Sequence, residues 1–244
     1  MIVEEKLIKM KSLSDLENAT FAVVEGFIYD DWILSTLPNA RFQYYRTIMD
    51  CITALKNGEV DAFPYDDAIL RYLLKNLDES FIIINDDSFK VAGYGFAVNF
   101  NRPDLKKAID DTIAEIKSNG IYEEMMNRWF PEIGTIGIMP KIKSGGKNGK
   151  LKFGTSTLER PFTFVVGDKE TTGFDIELAK RLCHKLEMNL EISNIRPFSE
   201  LIPAIVSGKV DMLGSAIIIS EERAQKVLFS EPYFQVKLGI LVKK

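Results

Sequence analysis

The 244-residue chain has one histidine, two cysteines and two tryptophans. With so few ligating side chains, His184, Cys51 and Cys183 cannot build the closely spaced thiolate and imidazole sets that hold zinc. Nor do they form an adjacent Cys–His couple for nucleophilic catalysis. Each cysteine stands in an apolar helical pattern and reads as a buried free thiol. His184 falls on the polar side of its helix, opposite an apolar stripe, and reads as exposed. No apolar run reaches the ~18–20 residues that span a bilayer, so this segment is not expected to insert in a membrane. The opening MIVEEKLIKMKS has too short an apolar core for a secretory leader. The lysines are dispersed and the net charge is −4, so no basic face marks a nucleic-acid partner. The nearest basic cluster, KIKSGGKNGK (141–150), reads as a solvated linker. It is not a phosphate loop, because Ser144 stands where that pattern needs its first glycine. No motif for a cofactor is left.

What the chain does have is an ordinary globular composition, 46% hydrophobic and 27% charged, and an internal repeat. ITALKNGEVDAFPYD (52–66) and IPAIVSGKVDMLGSA (202–216) share Ile-x-Ala-apolar-x-polar-Gly-x-Val-Asp-apolar. The pattern predicts a helix end, a left-handed stop at Gly58 or Gly208, and a short buried strand. Asp61 and Asp211, beside those strands, read as structural.

Around the repeat, apolar periodicity predicts alternating strands and helices. In the first half the strands fall at 20–24, 41–45 and 80–85, with helices near 29–36 and 66–76. In the second half strands fall at 151–154, 163–166, 189–193 and 210–214, with helices at 173–187 and 198–207 and a short helix from Ser220. The helix at 173–187 carries Phe174, Leu178, Leu182 and Leu186 as an i, i+4 stripe, and Thr172 with Asp175 reads as its cap. Residues 102–130 predict two helices broken at Asn119-Gly120 and ending in an exposed-looking MNRWFPEIG. Such alternation implies two α/β lobes with largely parallel sheets, and between two lobes a cleft is the default ligand site.

With these segments in place, the chain resembles the extracytoplasmic solute-binding proteins of family 3, polar amino-acid binders with the two-lobed, type 2 periplasmic-binding-protein fold. GTSTLERPFTF, TTGFDIELAKRL and FSELIPAIVSGKVDMLGSAIIISEERAQKVLFSEPYF are similar to that family's first lobe. SLSDLENATFAVVEG, ALKNGEVDAFPYDDAILRYLL and GYGFAVNFNRPDLKKAIDDTIAEIKSNGIYEEMMNRWF are similar to its second lobe and closing region. The order is inverted, since the piece like GILVKK (239–244) precedes the piece like EEKLIKMKSLSDLENATF in the family. A circular permutant and a window across two tandem copies both give that order. The resemblance implies a second lobe at 1–94 completed by 237–244, closing helices of the first lobe at 95–130, a linker at 131–150 and the first lobe at 151–236. Hinge strands are expected near 93–98 and 234–241.

The resemblance also implies non-catalytic binding of a small polar solute, an amino acid, in an inter-lobe cleft, outside the cytoplasm and without a cofactor. The implied partner is a membrane transporter for uptake, or a receptor kinase if the module senses. Arg223, after AIIISEER, matches the family's carboxylate clamp, and a planar guanidinium offers paired donors to a carboxylate. Asp66 matches the ammonium acceptor, with an N-cap role as the alternative. Phe198 keeps one aromatic wall, and Phe162 holds the "PF" position, either core or cleft. Tyr65 and Ser215 flank these positions. Several residues depart from the pattern: Ser156 for an aspartate, Glu159 for the aromatic platform, Ala216 and Ile218 for Gly and Thr, and apolar groups after Gly26 at Phe27. Fewer hydroxyl donors imply weaker binding, a more apolar ligand or a different partner. Two other readings follow from the same residues. One is an interaction or sensor module that has lost ligand binding. The other is a cyclic-acid dehydratase, with Glu159 beside Phe198 as acid or base.

Overall fold

The computed structural model describes residues 12–75, 77, 80–86, 91–131, 135–143, 145–167 and 170–244. Residues 1–11, the end of the helix expected at 66–76 and parts of the expected linker (132–134 and 144) lie outside the described residues.

The order of elements follows the sequence pattern closely. First come β1 (Thr20–Val24), α1 (Tyr29–Leu34), β2 (Arg41–Tyr45), α2 (Ile48–Asn57), β3 (Ala62–Asp66), α3 (Asp67–Leu74) and β4 (Phe81–Ile84). β5 (Val91–Tyr94) and β6 (Ala97–Val98) lead into α4 (Pro103–Ser118) and α5 (Ile121–Trp129). Then follow β7 (Lys150–Thr155), β8 (Leu158–Glu159), β9 (Thr163–Val166), β10 (Glu170–Thr172), α6 (Phe174–Lys185) and β11 (Asn189–Asn194). The chain ends with α7 (Leu201–Val206), β12 (Met212–Leu213), α8 (Glu221–Ala224), β13 (Leu228–Phe229) and β14 (Phe234–Lys243). Phe198–Glu200, expected as the start of a helix, forms a 3-10 turn ahead of α7, and the strand expected at 210–214 shortens to β12.

These elements form two units, Met1–Val91 with Val236–Lys244, and Ala92–Gln235. In the first unit the sheet runs β2-β1-β3-β14-β4, with β1 parallel to β2 and β3 and with β14 antiparallel to β3 and β4. In the second it runs β11-β7-β12-β6-β13, with β7 parallel to β11 and β12 and with β6 antiparallel to β12 and β13. The sheets are thus less parallel than expected. In each, the fourth strand comes from a distant part of the chain, β14 from its last residues and β6 from its middle, and enters against the direction of the others. A separate antiparallel sheet, β10-β9-β8, belongs to the second unit.

The repeat has the same physical content in both units. Gly58 ends α2 at φ 75°, and Gly208 follows α7 at φ 73°. A Cβ at either would meet nothing within 4 Å, so left-handed backbone rather than crowding requires glycine there. Three residues on, Asp61 accepts the Thr20 amide at 2.8 Å while its own amide donates to the Thr20 carbonyl at 2.8 Å. Asp211 does the same with Lys152, at 2.8 Å and 2.9 Å. Both aspartates therefore fasten the third strand to the first, the structural role their position implied.

Two local expectations are corrected in α6. Its N-cap is Gly173 at φ 127°, where a Cβ would run into the Phe162 carbonyl, and Asp175 turns inward instead of capping. Phe174, Leu178 and Leu182 are buried as the stripe predicted, but Leu186 at its end is only half-buried. The segment MNRWF is exposed only at Asn127. Trp129 is 1% exposed, and its indole N–H donates to Glu177 at 2.7 Å. Arg128 donates to both oxygens of that carboxylate at 2.8 Å, and Arg181 adds bonds at 2.6 Å and 3.1 Å. Glu177 is fully buried and lies one turn from the stripe, so this single carboxylate draws α5 onto α6. No helix among the described residues is long and apolar enough to cross a membrane.

Replacing Glu177 with Ala leaves two guanidinium groups and an indole N–H facing an apolar methyl. Removing one member of a buried ion set costs about 3–5 kcal/mol. Urea unfolding of Glu177→Ala is expected to show a lowered midpoint at unchanged slope.

Candidate functional site

The residues singled out in the sequence fall into two groups, one in each unit. In the unit Ala92–Gln235 they gather on the segment Gly214–Ile219 and on the strand end and turn that face it at 154–159. The segment is short of regular structure but is fastened at almost every residue. The Gly214 amide donates to Gly154 at 3.2 Å, and Ile217 accepts the Gly95 amide at 3.1 Å. Ile219 donates to Gly93 at 2.9 Å. Between these lies Ala216 at φ 50°, a left-handed conformation unusual for a residue with a Cβ. Its amide donates to Asp175 Oδ2 at 2.9 Å.

Ser215 is a buried meeting point. Its Oγ lies 2.7 Å from Ser156 Oγ, accepts the Ser156 amide at 3.2 Å, and has the hydroxyls of Thr155 and Thr163 at 3.4 Å. All four side chains are fully buried. Ser156 therefore engages Ser215, and Thr155 and Thr163, missed in the sequence, complete the cluster. The next residue, Thr157, is also left-handed, at φ 59°. Arg196 spans this turn, with Nε on the Ser156 carbonyl at 3.2 Å and Nη2 on Thr157 Oγ1 at 3.0 Å. Arg196 was invisible as a site residue because its partners lie about 40 positions away.

Arg223 follows the N-cap Ser220, whose Oγ accepts the Arg223 amide at 3.3 Å. Its side chain turns back rather than outward. Nη1 donates to the Ile218 carbonyl at 3.0 Å, Cζ lies 5.7 Å from the Phe198 ring centre, and the residue is 8% exposed. A cation over an aromatic face, with Nη1 on a carbonyl, is held in a fixed direction. Ala216, Ile218 and Phe198 are thus brought to Arg223 or to the segment that holds it. Glu159 is buried in β8, in register with Thr163, and its carbonyl accepts the Phe162 amide at 2.6 Å. Phe162 belongs to the core: its ring meets Tyr94, Phe234 and Phe130 at centroid distances of 4.9, 5.0 and 5.1 Å.

In the other unit, Asp66 is 2% exposed and occupies the N-cap position of α3, yet its side chain makes no capping hydrogen bond. Gly26 turns the chain at φ 85° after β1. Phe27 then packs on Tyr65 at 5.4 Å and on Tyr29 at 5.7 Å, and Tyr29 meets Tyr65 at 5.1 Å. Tyr29 is fully buried and was not anticipated, although its spacing two residues beyond Phe27 was a usable signal.

Asp175 departs far from ordinary carboxylate behaviour. Complete burial raises its pKa to about 7, against the Ala216 amide and the Tyr233 hydroxyl, which favour the carboxylate. Cys51 and Cys183 are free and buried, and burial pushes both thiols up to about 12. Neither is a thiolate near neutrality. His184 is exposed, with Nδ1 2.8 Å from the Lys143 carbonyl. No cluster of three His, Cys, Asp or Glu side chains that could hold a metal occurs among the described residues.

The chain thus has two α/β units of shared strand order, with a buried arginine against an aromatic ring in one of them. Residues 151–244 match the family model of bacterial extracellular solute-binding proteins, family 3. ABC transporter arginine-binding protein 1 of Escherichia coli K12 is 35% identical over 95 residues, which are 39% of this chain and 39% of that protein. Membrane-bound lytic murein transglycosylase F of Aliivibrio fischeri is 35% identical over 104 residues, 43% of this chain and 21% of that one. The arginine-bound form of domain 1 from TmArgBP is 36% identical, with 39% of this chain and 80% of that chain covered at a TM-score of 0.34. The chain thus spans 39% or less of the length of these two curated relatives.

The Asp175 pKa is raised in the folded state, so its contribution to stability is full below its ordinary value of 3.8 and lost as pH rises through about 7. Asp175→Asn removes that titration. Thermal unfolding across this range is expected to show a variant whose advantage in Tm over wild type grows with pH and levels off above about 7.

Proposed function

We propose that the protein binds a small polar solute, an α-amino acid, reversibly and without turnover. The observation that carries this reading is Arg223, held almost fully buried against Phe198 and the Ile218 carbonyl. Burying a guanidinium is costly unless an anion or carbonyl meets it. A ligand carboxylate is the partner whose geometry suits the fork. Asp66, which does not cap its helix, is the proposed acceptor for the ligand ammonium. Ser156, Ser215, Glu159, Tyr65 and the turn at Gly26 and Phe27 are proposed to shape the rest of the site. The arginine-binding relative supports an amino acid as the ligand class.

In this reading the protein works outside the cytoplasm, delivering its ligand to a membrane transporter of the ABC type or reporting it to a receptor kinase. The lobe order, whether it arose by permutation or from a tandem pair, leaves each unit with a full set of strands. A second reading has a specific residue behind it. Glu159 is buried, and a desolvated carboxylate on this fold is a candidate acid or base for dehydration of a cyclic acid.

Thermal-shift measurements with L-arginine, L-histidine and L-glutamine test the main reading. A bound ligand at ~100 times its Kd is expected to add about 2.7 kcal/mol of stability, seen as a raised Tm. Arg223→Ala is expected to weaken the best of these by at least ~30-fold in calorimetry, since truncating one side of a buried charge pair costs about 2–5 kcal/mol. Unchanged affinity in that variant removes Arg223 from the site. Product formation from prephenate favours the dehydratase reading instead.

A further inference from the structure

Asp175 is a buried carboxylate that neither the fold nor the proposed ligand contacts account for. It sits in the first turn of α6, where an acid suits the helix dipole, but it is fully buried and turned away from its own helix end. Its Oδ2 accepts the Ala216 amide at 2.9 Å, and the Tyr233 hydroxyl stands near the carboxylate and favours its charged form. Among the described residues, no cation donates a hydrogen bond to Asp175.

What it holds is a strained turn. Ala216 keeps φ at 50°, and a left-handed residue with a Cβ persists only where its surroundings determine it. The backbone bonds of Gly214, Ile217 and Ile219 fasten the segment on either side of that turn. Within the turn the work falls to the Ser215 hydroxyl and to Asp175. Two residues beyond Ala216, the Ile218 carbonyl accepts Nη1 of Arg223 at 3.0 Å. The path from Asp175 to the guanidinium is therefore one amide, one turn and one carbonyl.

We propose that Asp175 is a positioning residue for Arg223: by accepting the Ala216 amide it fixes the left-handed turn, and through the Ile218 carbonyl it sets the direction of the guanidinium. The proposal rests on the reading of Arg223 as the carboxylate clamp. It assigns the buried charge to ligand affinity rather than to stability, which separates it from an ordinary structural acid.

Two variants test it. Asp175→Leu removes both the acceptor and the buried charge at similar volume, so the fold is expected to hold. The Kd for whichever of L-arginine, L-histidine and L-glutamine the wild type binds is expected to rise by on the order of 10-fold or more, the worth of a hydrogen bond to a charged group. Asp175→Asn keeps an acceptor and is expected to recover affinity to within about threefold of wild type. A folded Leu variant with wild-type affinity overturns the proposal, as does an Asn variant that recovers nothing. Ligand-free NMR provides a separate arm. Above the Asp175 pKa of about 7, the Ala216 amide proton is expected to move upfield in Asp175→Asn, as a neutral acceptor replaces a charged one. In Asp175→Leu that signal and the Arg223 Nε–H are both expected to shift. An unmoved Ala216 amide in the Asn variant overturns the proposal even if the Leu variant does not fold. If the wild type binds none of the three amino acids, the functional reading fails while the NMR arm still decides whether Asp175 holds the turn.

Discussion

Each sheet depends on a strand delivered from a distant part of the chain. β14 enters between β3 and β4 in one unit, and β6 enters between β12 and β13 in the other, both against the run of their neighbours. Without these strands the fourth position of either sheet is vacant and the fifth has nothing to pair with. The parallel pairings of each sheet join strands nearer in sequence, whereas the two inserted strands bring together residues far apart in the chain. Each sheet therefore carries one strand whose pairing has a larger loop-closure cost.

The acidic residues show how one chemical group is used in three ways. Asp61 and Asp211 accept an amide from the neighbouring strand, a bond that replaces part of their hydration at little cost. Glu177 lies deeper and is satisfied by two arginines and an indole, so its charge is matched where it is buried. Asp175 is equally buried, with the Ala216 amide and the Tyr233 hydroxyl beside it, and burial raises its pKa against both of them. Burial alone does not separate the last two. The sign and number of the donors around them does.

Much of the fold was legible because its signals are local. Gly58 and Gly208 marked helix stops by residue type, the Val-Asp step after them marked strand starts, and β1, β2 and β9 fell where alternation put them. The same logic failed wherever a side chain answered to a partner far along the chain. Thr172 and Asp175 have the spacing of a cap, but Asp175 binds an amide 41 positions away. Trp129 looked exposed in a polar tail because Glu177, 48 positions on, was not recognisable as its acceptor. In the candidate site, Arg223 and Asp66 could be found from motif position, and Ser156 and Ser215 by their neighbours. Arg196 could not, since an arginine on a loop has many commoner uses, and Tyr29 offered only its spacing from Phe27. Phe162 was ambiguous for a related reason: the proline before it fits a core turn as well as a site rim.

The placement of the two thiols has a practical consequence. Cys51 lies inside α2 in one unit and Cys183 inside α6 in the other, each shielded from solvent. A thiol reagent can reach either one only when the helix around it opens, and local opening has its own free energy in each cooperative part of a protein. The chain thus carries a built-in pair of chemical clocks, one per unit. Their separate labelling rates, resolved by peptide mass, measure whether the two halves open independently or together.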